Sequence, residues 1–268
     1  PEALEGILEK ISRTWTLESE TEVTLEANPT SIEIEKFRDF KSLGVNRVSL
    51  GIQSLNDSAL TFLGRNHSAS EGIRAIKIAS KTFSNFSFDL IYARPRQSVN
   101  KWKRELKEGL ELGASHLSLY QLSIEPGTEF YKRKILVPES DAAANYYKTT
   151  QEIMENRGMP AYEISNHSIP GSECKHNLLY WEGHDYVGLG PGAHSRLQFD
   201  GEIYAIYQIY DPKKWVNSVT KRGHGTAKSK IISPHARGEE LIMLGLRTPK
   251  GIKISRLERQ TNKQIGDF

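Results

Sequence analysis

The chain has 268 residues, with 36 Lys and Arg against 33 Asp and Glu and a formal net charge of +3, a balance that argues against a nucleic-acid partner and leaves the tract Lys213-Lys214, Lys221-Arg222, Lys228 and Lys230 as a solvated face. Cys174 is the only cysteine, which excludes an intrachain disulfide, and one thiol holds neither a structural zinc nor an iron–sulfur cluster, so a reducing cytoplasm is the expected compartment. No run approaches the roughly 20 apolar residues of a membrane span and no hydrophobic leader opens the sequence, so no transmembrane segment is expected.

In chain order, Pro1 through Ile11 reads as a helix, with Leu4, Ile7, Leu8 and Ile11 at helical spacing and Pro1 acceptable in a first turn. The sequence thus reads as if it starts inside a domain. Glu22 to Glu26 reads as a strand ended by Asn28-Pro29. Thr30 and Glu33 are spaced as a capping box before the stripe Ile34, Phe37, Phe40 and Leu43, which stops at Gly44. Val45 to Leu50 predicts a second strand running into Gly51-Ile52-Gln53-Ser54. Helices follow at Asp57 to Leu63 and Ser70 to Ser80, with Ser68 and Glu71 as a further capping box. Phe86 to Tyr92, rich in aromatic and β-branched residues, predicts a third strand. A helix from Val99 to Leu112, a strand from Ser115 to Tyr120 and a long helix from Asp141 to Arg157 complete the series. Strands alternating with helices predict an α/β fold, either a parallel barrel or an open sheet with right-handed crossovers.

From Tyr162-Glu163-Ile164-Ser165 the rhythm changes. Residues 166–201 are rich in Gly, Pro, Asn and His and read as a long loop, a kind of segment that tends to carry function. Helices are expected at Pro212 to Val219 and Pro234 to Leu246, and another periodic stretch begins at Ile254.

In a parallel α/β fold the carboxyl ends of the strands form the site. Here they deliver Glu26, Gln53, Asp89 and Gln121, with Asp89 placed within its strand. Carboxylates and amides suit the hydroxyls and amine of a nucleoside or amino-acid ligand, or alternatively cap helices and bond neighbouring backbone. Arg65 is placed to reach the same rim and pair with a ligand carboxylate. The phosphate-loop spacing and the GxSxG elbow are both missing. In His176-Asn177-Leu178-Leu179-Tyr180-Trp181 an imidazole suited to haem iron lies beside two large aromatics and an amide. The same residues also suit a loop anchored by Tyr180 and Trp181. The glycines of Gly188-Leu189-Gly190-Pro191-Gly192-Ala193-His194-Ser195 allow a tight loop.

Taken in order, Leu25-Glu26-Ala27-Asn28-Pro29, Gly51-Ile52-Gln53-Ser54, Leu63-Gly64-Arg65 with His67, Asp89-Leu90-Ile91-Tyr92 and Tyr162-Glu163-Ile164-Ser165-Asn166 resemble the oxygen-independent coproporphyrinogen III oxidase-like branch of the radical SAM superfamily, especially its haem chaperones. The resemblance implies an incomplete radical SAM-type (β/α) barrel over 1–165. A haem-motif loop and a mainly helical carboxy-terminal extension are implied over 166–268. It implies that Glu26, Gln53, Arg65 and Asp89 line an S-adenosylmethionine site, with Asp89 and Gln53 near the ribose. It implies that His176, Asn177, Tyr180 and Trp181 bind haem, with His176 as the metal ligand.

Two family segments have no counterpart. These are the CxxxCxxC motif that holds the [4Fe-4S] cluster and a GGGTP segment that helps hold S-adenosylmethionine. Two amino-terminal β/α elements are therefore expected to be missing, and the residues present are expected to lack radical SAM activity. A smaller departure is Asp89-Leu90-Ile91-Tyr92-Ala93-Arg94-Pro95-Arg96-Gln97-Ser98, where the family pattern is DLIYGLPGQT. Ala93 replaces a glycine there, and the arginines add positive charge at a strand exit, facing either an anionic ligand or solvent.

The expected function is haem binding and haem transfer to a membrane-associated respiratory acceptor, by a cytoplasmic protein with peripheral contact to the membrane. The alternatives are an oxygen-independent coproporphyrinogen III oxidase and an inactive truncated relative.

Overall fold

A computed structural model describes residues 1–30 and 34–268. Glu33, and with it the expected capping box from Thr30, lies outside the described residues. The chain forms two compact units, 1–173 and 174–268.

The first unit runs α1 (Glu2–Thr14), β1 (Thr24–Ala27), α2 (Phe37–Ser42), β2 (Arg47–Gln53), α3 (Asp57–Phe62), α4 (Ala69–Thr82), β3 (Asn85–Tyr92), α5 (Val99–Leu110), β4 (His116–Gln121), α6 (Glu129–Lys132), α7 (Ser140–Asn156) and β5 (Asn166–Ser168). Strands β1 to β4 are parallel neighbours in the order β1-β2-β3-β4, and β5 closes the sheet antiparallel to β4. Helix starts follow local chemistry. Asn56 accepts from the Ala59 backbone N–H at the start of α3, and Ser68 and Glu71 form the expected reciprocal box at the start of α4.

The period-two alternation of each strand divides the sheet into two unlike faces. Val48, Leu50 and Ile52 of β2, Phe86, Phe88, Leu90 and Tyr92 of β3, and Leu117 and Leu119 of β4 are buried in one core with Ala75, Ile76 and Ala79 of α4, Trp102 and Leu106 of α5 and Met154 of α7. The fully buried Trp102 stacks on Tyr92 with ring centroids 5.1 Å apart and donates its indole N–H to Thr150 Oγ1 at 2.8 Å. Burying an aromatic of this size stabilises the fold by roughly 1.5–3 kcal/mol.

The second unit comprises α8 (Lys175–Trp181), β6 (His194–Phe199), β7 (Glu202–Gln208), α9 (Pro212–Arg222), β8 (Thr226–Ile232), α10 (Pro234–Gly245) and α11 (Ile254–Thr261), followed by a 3-10 turn at Ile265–Asp267. The segment His176 to Trp181, expected within a loop, lies in a short helix. Its seven residues contain neither Gly nor Pro, Leu178 N–H bonds Cys174 O at 3.1 Å, and Gly183 at φ +67° ends the turn. The helices at 212–222 and 234–245 form as expected, but an antiparallel sheet β6-β7-β8 lies among them. Its β6–β7 hairpin turns through Asp200 and Gly201 at φ +50° and +78°, the Asp-Gly turn whose twist matches paired strands. Arg237, 1% exposed, is the hub of this unit, donating to Gly183 O at 2.6 Å, Glu240 Oε2 at 2.6 Å and Gln260 Oε1 at 3.0 Å.

Candidate functional site

In the first unit, the sheet face opposite the core is polar. The pairings Glu26 with Ser49, Ser49 with Ser87, Ser87 with His116, and Asp89 with Ser118 place these side chains in rows across four strands. Arg47 Nη2 donates to Ser87 Oγ at 3.0 Å, and Ser87 Oγ donates to Ser49 Oγ at 2.9 Å. A parallel sheet covered on both faces is apolar on both, so this ladder marks a wall that faces polar contents.

At the carboxyl ends of β1 and β2 the strands deliver a second set of groups. Gln53 ends β2 just beyond a register shift and holds φ +71°, a conformation that a non-glycine residue adopts at a cost. Arg65, in the turn after α3, donates through Nη2 to Gly51 O at 2.8 Å and Asn28 Oδ1 at 3.1 Å. A methyl group on Gly51 would lie 3.1 Å from Arg65 Nη2 and 3.3 Å from Gln53 Nε2. Glycine at 51 therefore permits the close approach of the guanidinium and the amide.

Asp89 lies three residues before the end of β3, within the strand as the sequence indicates. Burial pushes its carboxyl up to about 6. A hydrogen bond with Ser118 opposes that rise, the Glu26 carboxylate adds to it, and Arg47 and Arg65 oppose it. The structure thus brings Glu26, Arg65 and Asp89 into one electrostatic neighbourhood, with Gln53 beside Arg65. Asp89 Oδ1 is buried without a hydrogen-bond partner among the described residues, an arrangement that favours a donor from a ligand. Gln121 ends β4 and is exposed.

Arg47, His116, Ser118 and Tyr120 of this wall are not among the residues the sequence singles out, and Glu163 stands out only as part of a family motif. The signal was present as polar residues two apart in Arg47-x-Ser49, Ser87-x-Asp89 and His116-x-Ser118-x-Tyr120. Burial raises the Tyr120 phenol, and Asp89, Glu163 and Glu26 raise it further, while Ser118 lowers it. Burial drives the His116 imidazole down to about 3, with Arg47 and His167 adding to the effect. His116 is therefore neutral and bonds the Tyr162 hydroxyl at 2.7 Å. Glu163 accepts from the Ser165 backbone N–H at 3.1 Å and from Asn166 Nδ2.

The second unit carries the other candidate residues on α8. His176 and Tyr180, one helical turn apart, meet edge to face at 4.7 Å, and Tyr180 meets Tyr186 at 4.5 Å. His176 is exposed, while Asn177, Tyr180 and Trp181 are half-buried. Burial raises the Tyr180 phenol, with Tyr186 adding to it. The Arg247 guanidinium lies 4.8 Å from the Trp181 ring centroid. Tyr186, which the sequence reading omitted, extends the aromatic surface beside His176.

The donor sets differ in what they fit. Glu26, Gln53, Arg65 and Asp89 offer the carboxylates, amide and guanidinium that the hydroxyls, ammonium and carboxylate of S-adenosylmethionine require. An exposed imidazole against phenol rings fits a haem. One cysteine among 268 residues does not fit a cluster held by three thiolates, so no step through a cluster is derived from these residues. Among the described residues no group of three or more His, Cys, Asp or Glu is placed to hold a metal ion, and no helix is long and apolar enough to cross a membrane.

Comparison with known proteins adds the family. The model of the radical SAM superfamily matches residues 1–108. Radical S-adenosyl methionine domain-containing protein 1, mitochondrial, of Danio rerio is 38% identical over 261 residues, covering 94% of this chain and 59% of that protein. Heme chaperone HemW of Escherichia coli is 37% identical over 213 residues, covering 79% of this chain and 56% of its own length. Among solved structures, coproporphyrinogen III oxidase HemN of Escherichia coli, described as a radical SAM enzyme, superposes with a TM-score of 0.80 at 18% identity over 98% of this chain and 64% of that one, a likeness of fold. The chain thus spans less than two thirds of the length of each of these relatives. Radical SAM membership implies S-adenosylmethionine and a [4Fe-4S] cluster as the family's cofactors. On the superfamily match and these identities, the chain belongs to the radical SAM superfamily, with heme chaperones named HemW among its relatives.

Proposed function

We propose that this chain is a substantial part of a haem-binding and haem-transfer chaperone. The carrying observation is His176, exposed on the first turn of α8 with Tyr180 and Tyr186 stacked edge to face behind it. In this reading His176 supplies an iron ligand, and Tyr180 and Trp181 offer ring surface to the macrocycle. Asn177 supplies an amide for orientation. Relatives at 37% identity, heme chaperone HemW of Escherichia coli and of Haemophilus influenzae, support it. The four polar residues of the first unit, Glu26, Gln53, Arg65 and Asp89, are proposed to bind S-adenosylmethionine. When bound, that cofactor supplies a sulfonium and a nucleoside. The protein's own contribution is to orient it, with Arg65 fixed on Gly51 O and Asn28.

The proposed cargo acceptor is a membrane-associated respiratory protein, and the proposed site of action is the cytoplasm, with peripheral contact to the membrane. These residues alone are proposed to lack radical SAM turnover. The oxidase reading draws on likeness of fold and gains no residue from the geometry. Haem titration of the purified chain, followed at the Soret band, tests the main reading. His176→Ala is expected to weaken binding at least tenfold and shift the Soret maximum. An unchanged spectrum and affinity would remove His176 from the ligand set.

A further inference from the structure

The strand exit that departs from the family pattern opens onto a cavity of about 1160 Å3 in the first unit, which shares no residue with Glu26, Gln53, Arg65 or Asp89. Its walls come from the segments that follow β2, β3 and β4. Arg94, 6% exposed, is spoken for: it donates to Ser54 Oγ and Glu105, whose carboxylate also accepts from the Leu55 backbone N–H at 3.0 Å and Gln97 Nε2 at 3.3 Å. Arg96, Lys101, Arg104 and Lys134 are not, since none of them forms an ion pair among the described residues. Among the described residues, the only carboxylate on the wall besides Glu105 is Glu108.

Four unpaired cations, three from the segment after β3 and one from the segment after β4, repel one another across a concave surface that focuses their field, so an anion between them lowers the energy of the folded chain. Two of the four, Arg96 and Lys134, hold φ of +59° and +51°, in the left-handed region where side chains other than Asn, Asp or Gly rarely sit. The wall also carries apolar residues. Leu136 is 83% exposed, and Phe62 stacks on Phe130 with centroids 5.0 Å apart. A cavity of this size, with convergent like charges and unpartnered apolar surface, has the makeup of a ligand site.

We propose that this cavity binds an organic anion, a phosphate or carboxylate group on an apolar body. Arg96 and Arg104 grip the anionic head, Lys101 and Lys134 add charge, and Leu136 and Phe62 receive the apolar part.

Calorimetric titration of the 268-residue chain tests the site, with dodecyl phosphate and laurate as amphiphilic probes below their micellar concentrations and inorganic pyrophosphate as the bare anion. Each amphiphile is expected to bind one per chain. The double variant Arg96→Glu/Arg104→Glu is expected to weaken both by about ten- to a hundredfold, the cost of losing charged hydrogen bonds. Leu136→Asp is expected to weaken the amphiphiles while leaving pyrophosphate unchanged. Lys213→Glu/Lys214→Glu on α9 makes the same change in net charge elsewhere and is expected to leave all three probes unchanged. Because the replaced side chains are exposed, circular dichroism should report an intact fold in each variant. Failure of both amphiphiles to bind the parent in the micromolar range would overturn the proposal. So would an Arg96→Glu/Arg104→Glu variant no weaker than Lys213→Glu/Lys214→Glu. If pyrophosphate binds as tightly as dodecyl phosphate, or Leu136→Asp loses nothing, the apolar half of the proposal fails.

Discussion

Glu105→Ala is expected to be among the most damaging single changes in the first unit. Glu105 and Arg94 are an ion pair with side chains 10% and 8% exposed, and Glu105 also collects Ser54, Gln97 and the Leu55 backbone N–H. Removing the carboxylate strands a buried guanidinium, which costs about 3–5 kcal/mol. Replacing both partners by leucine removes the stranded charge, and most of that cost should disappear, leaving about 1–2 kcal/mol for the unpaired Leu55 N–H and Ser54 hydroxyl. Urea unfolding followed by near-ultraviolet circular dichroism reads the first unit, because Trp102 is fully buried against Tyr92. At a slope of about 2–3 kcal/mol per M, the midpoint of Glu105→Ala should fall by about 1–2 M. A loss below about 1 kcal/mol, or a double variant no more stable than Glu105→Ala, would refute the view that the pair is a closed buried network.

Other outcomes are as specific. Asp89 has a carboxyl raised to about 6 from the ordinary 3.8, so between those values the folded chain binds more protons than the unfolded one and stability falls as pH rises. Asp89→Asn should therefore be more stable than the parent by about 3 kcal/mol near pH 8 and indistinguishable below about pH 4; a difference that is flat with pH would sink this reading. Burial lowers His116 to about 3 and His167 to about 4, so their contribution is present above about pH 6.5 and is lost on acidification toward those values. A His116→Gln/His167→Gln variant should show a shallower acid limb in thermal melts, and parallel limbs would count against it. Gly183→Ala places a methyl 2.2 Å from Leu241 Cδ2 at φ +67°, and should destabilise the second unit by about 1–3 kcal/mol and weaken haem binding through α8. Full retention of both in melts and titration would show that the α8 terminus is not held as described.

The parallel units of the first half were legible because their apolar stripes and caps agree. Ser68 with Glu71 marks the start of α4, and the stripe Phe37 to Leu43 ends at Gly44, φ +105°. The strands of the second half were not, although Asp200-Gly201 is a hairpin signal. His194–Phe199 lies in the run 166–201, rich in Gly, Pro and His, that reads as loop, whereas Glu202–Gln208 carries Ile203, Tyr204, Ile206 and Tyr207 just beyond it and is too short to stand out from that run. Helix α8 was masked for the same reason, as its seven residues are too few to show a period. Of the proposed nucleoside-binding residues, Glu26, Gln53, Arg65 and Asp89 were visible singly. Their convergence depends on Arg65 crossing to Gly51 O and Asn28, a tertiary contact that no local spacing encodes.

The opposed faces of the sheet have a bearing on how such a protein can change. Cohesion resides in Val48, Leu50, Phe88, Leu90 and their helices, while Glu26, Ser49, Asp89 and Tyr120 lie on the reverse side, outside that core. The residues proposed to touch a ligand can therefore be exchanged without disturbing the apolar packing of the core. Drift on the polar wall can alter what is bound while the scaffold persists.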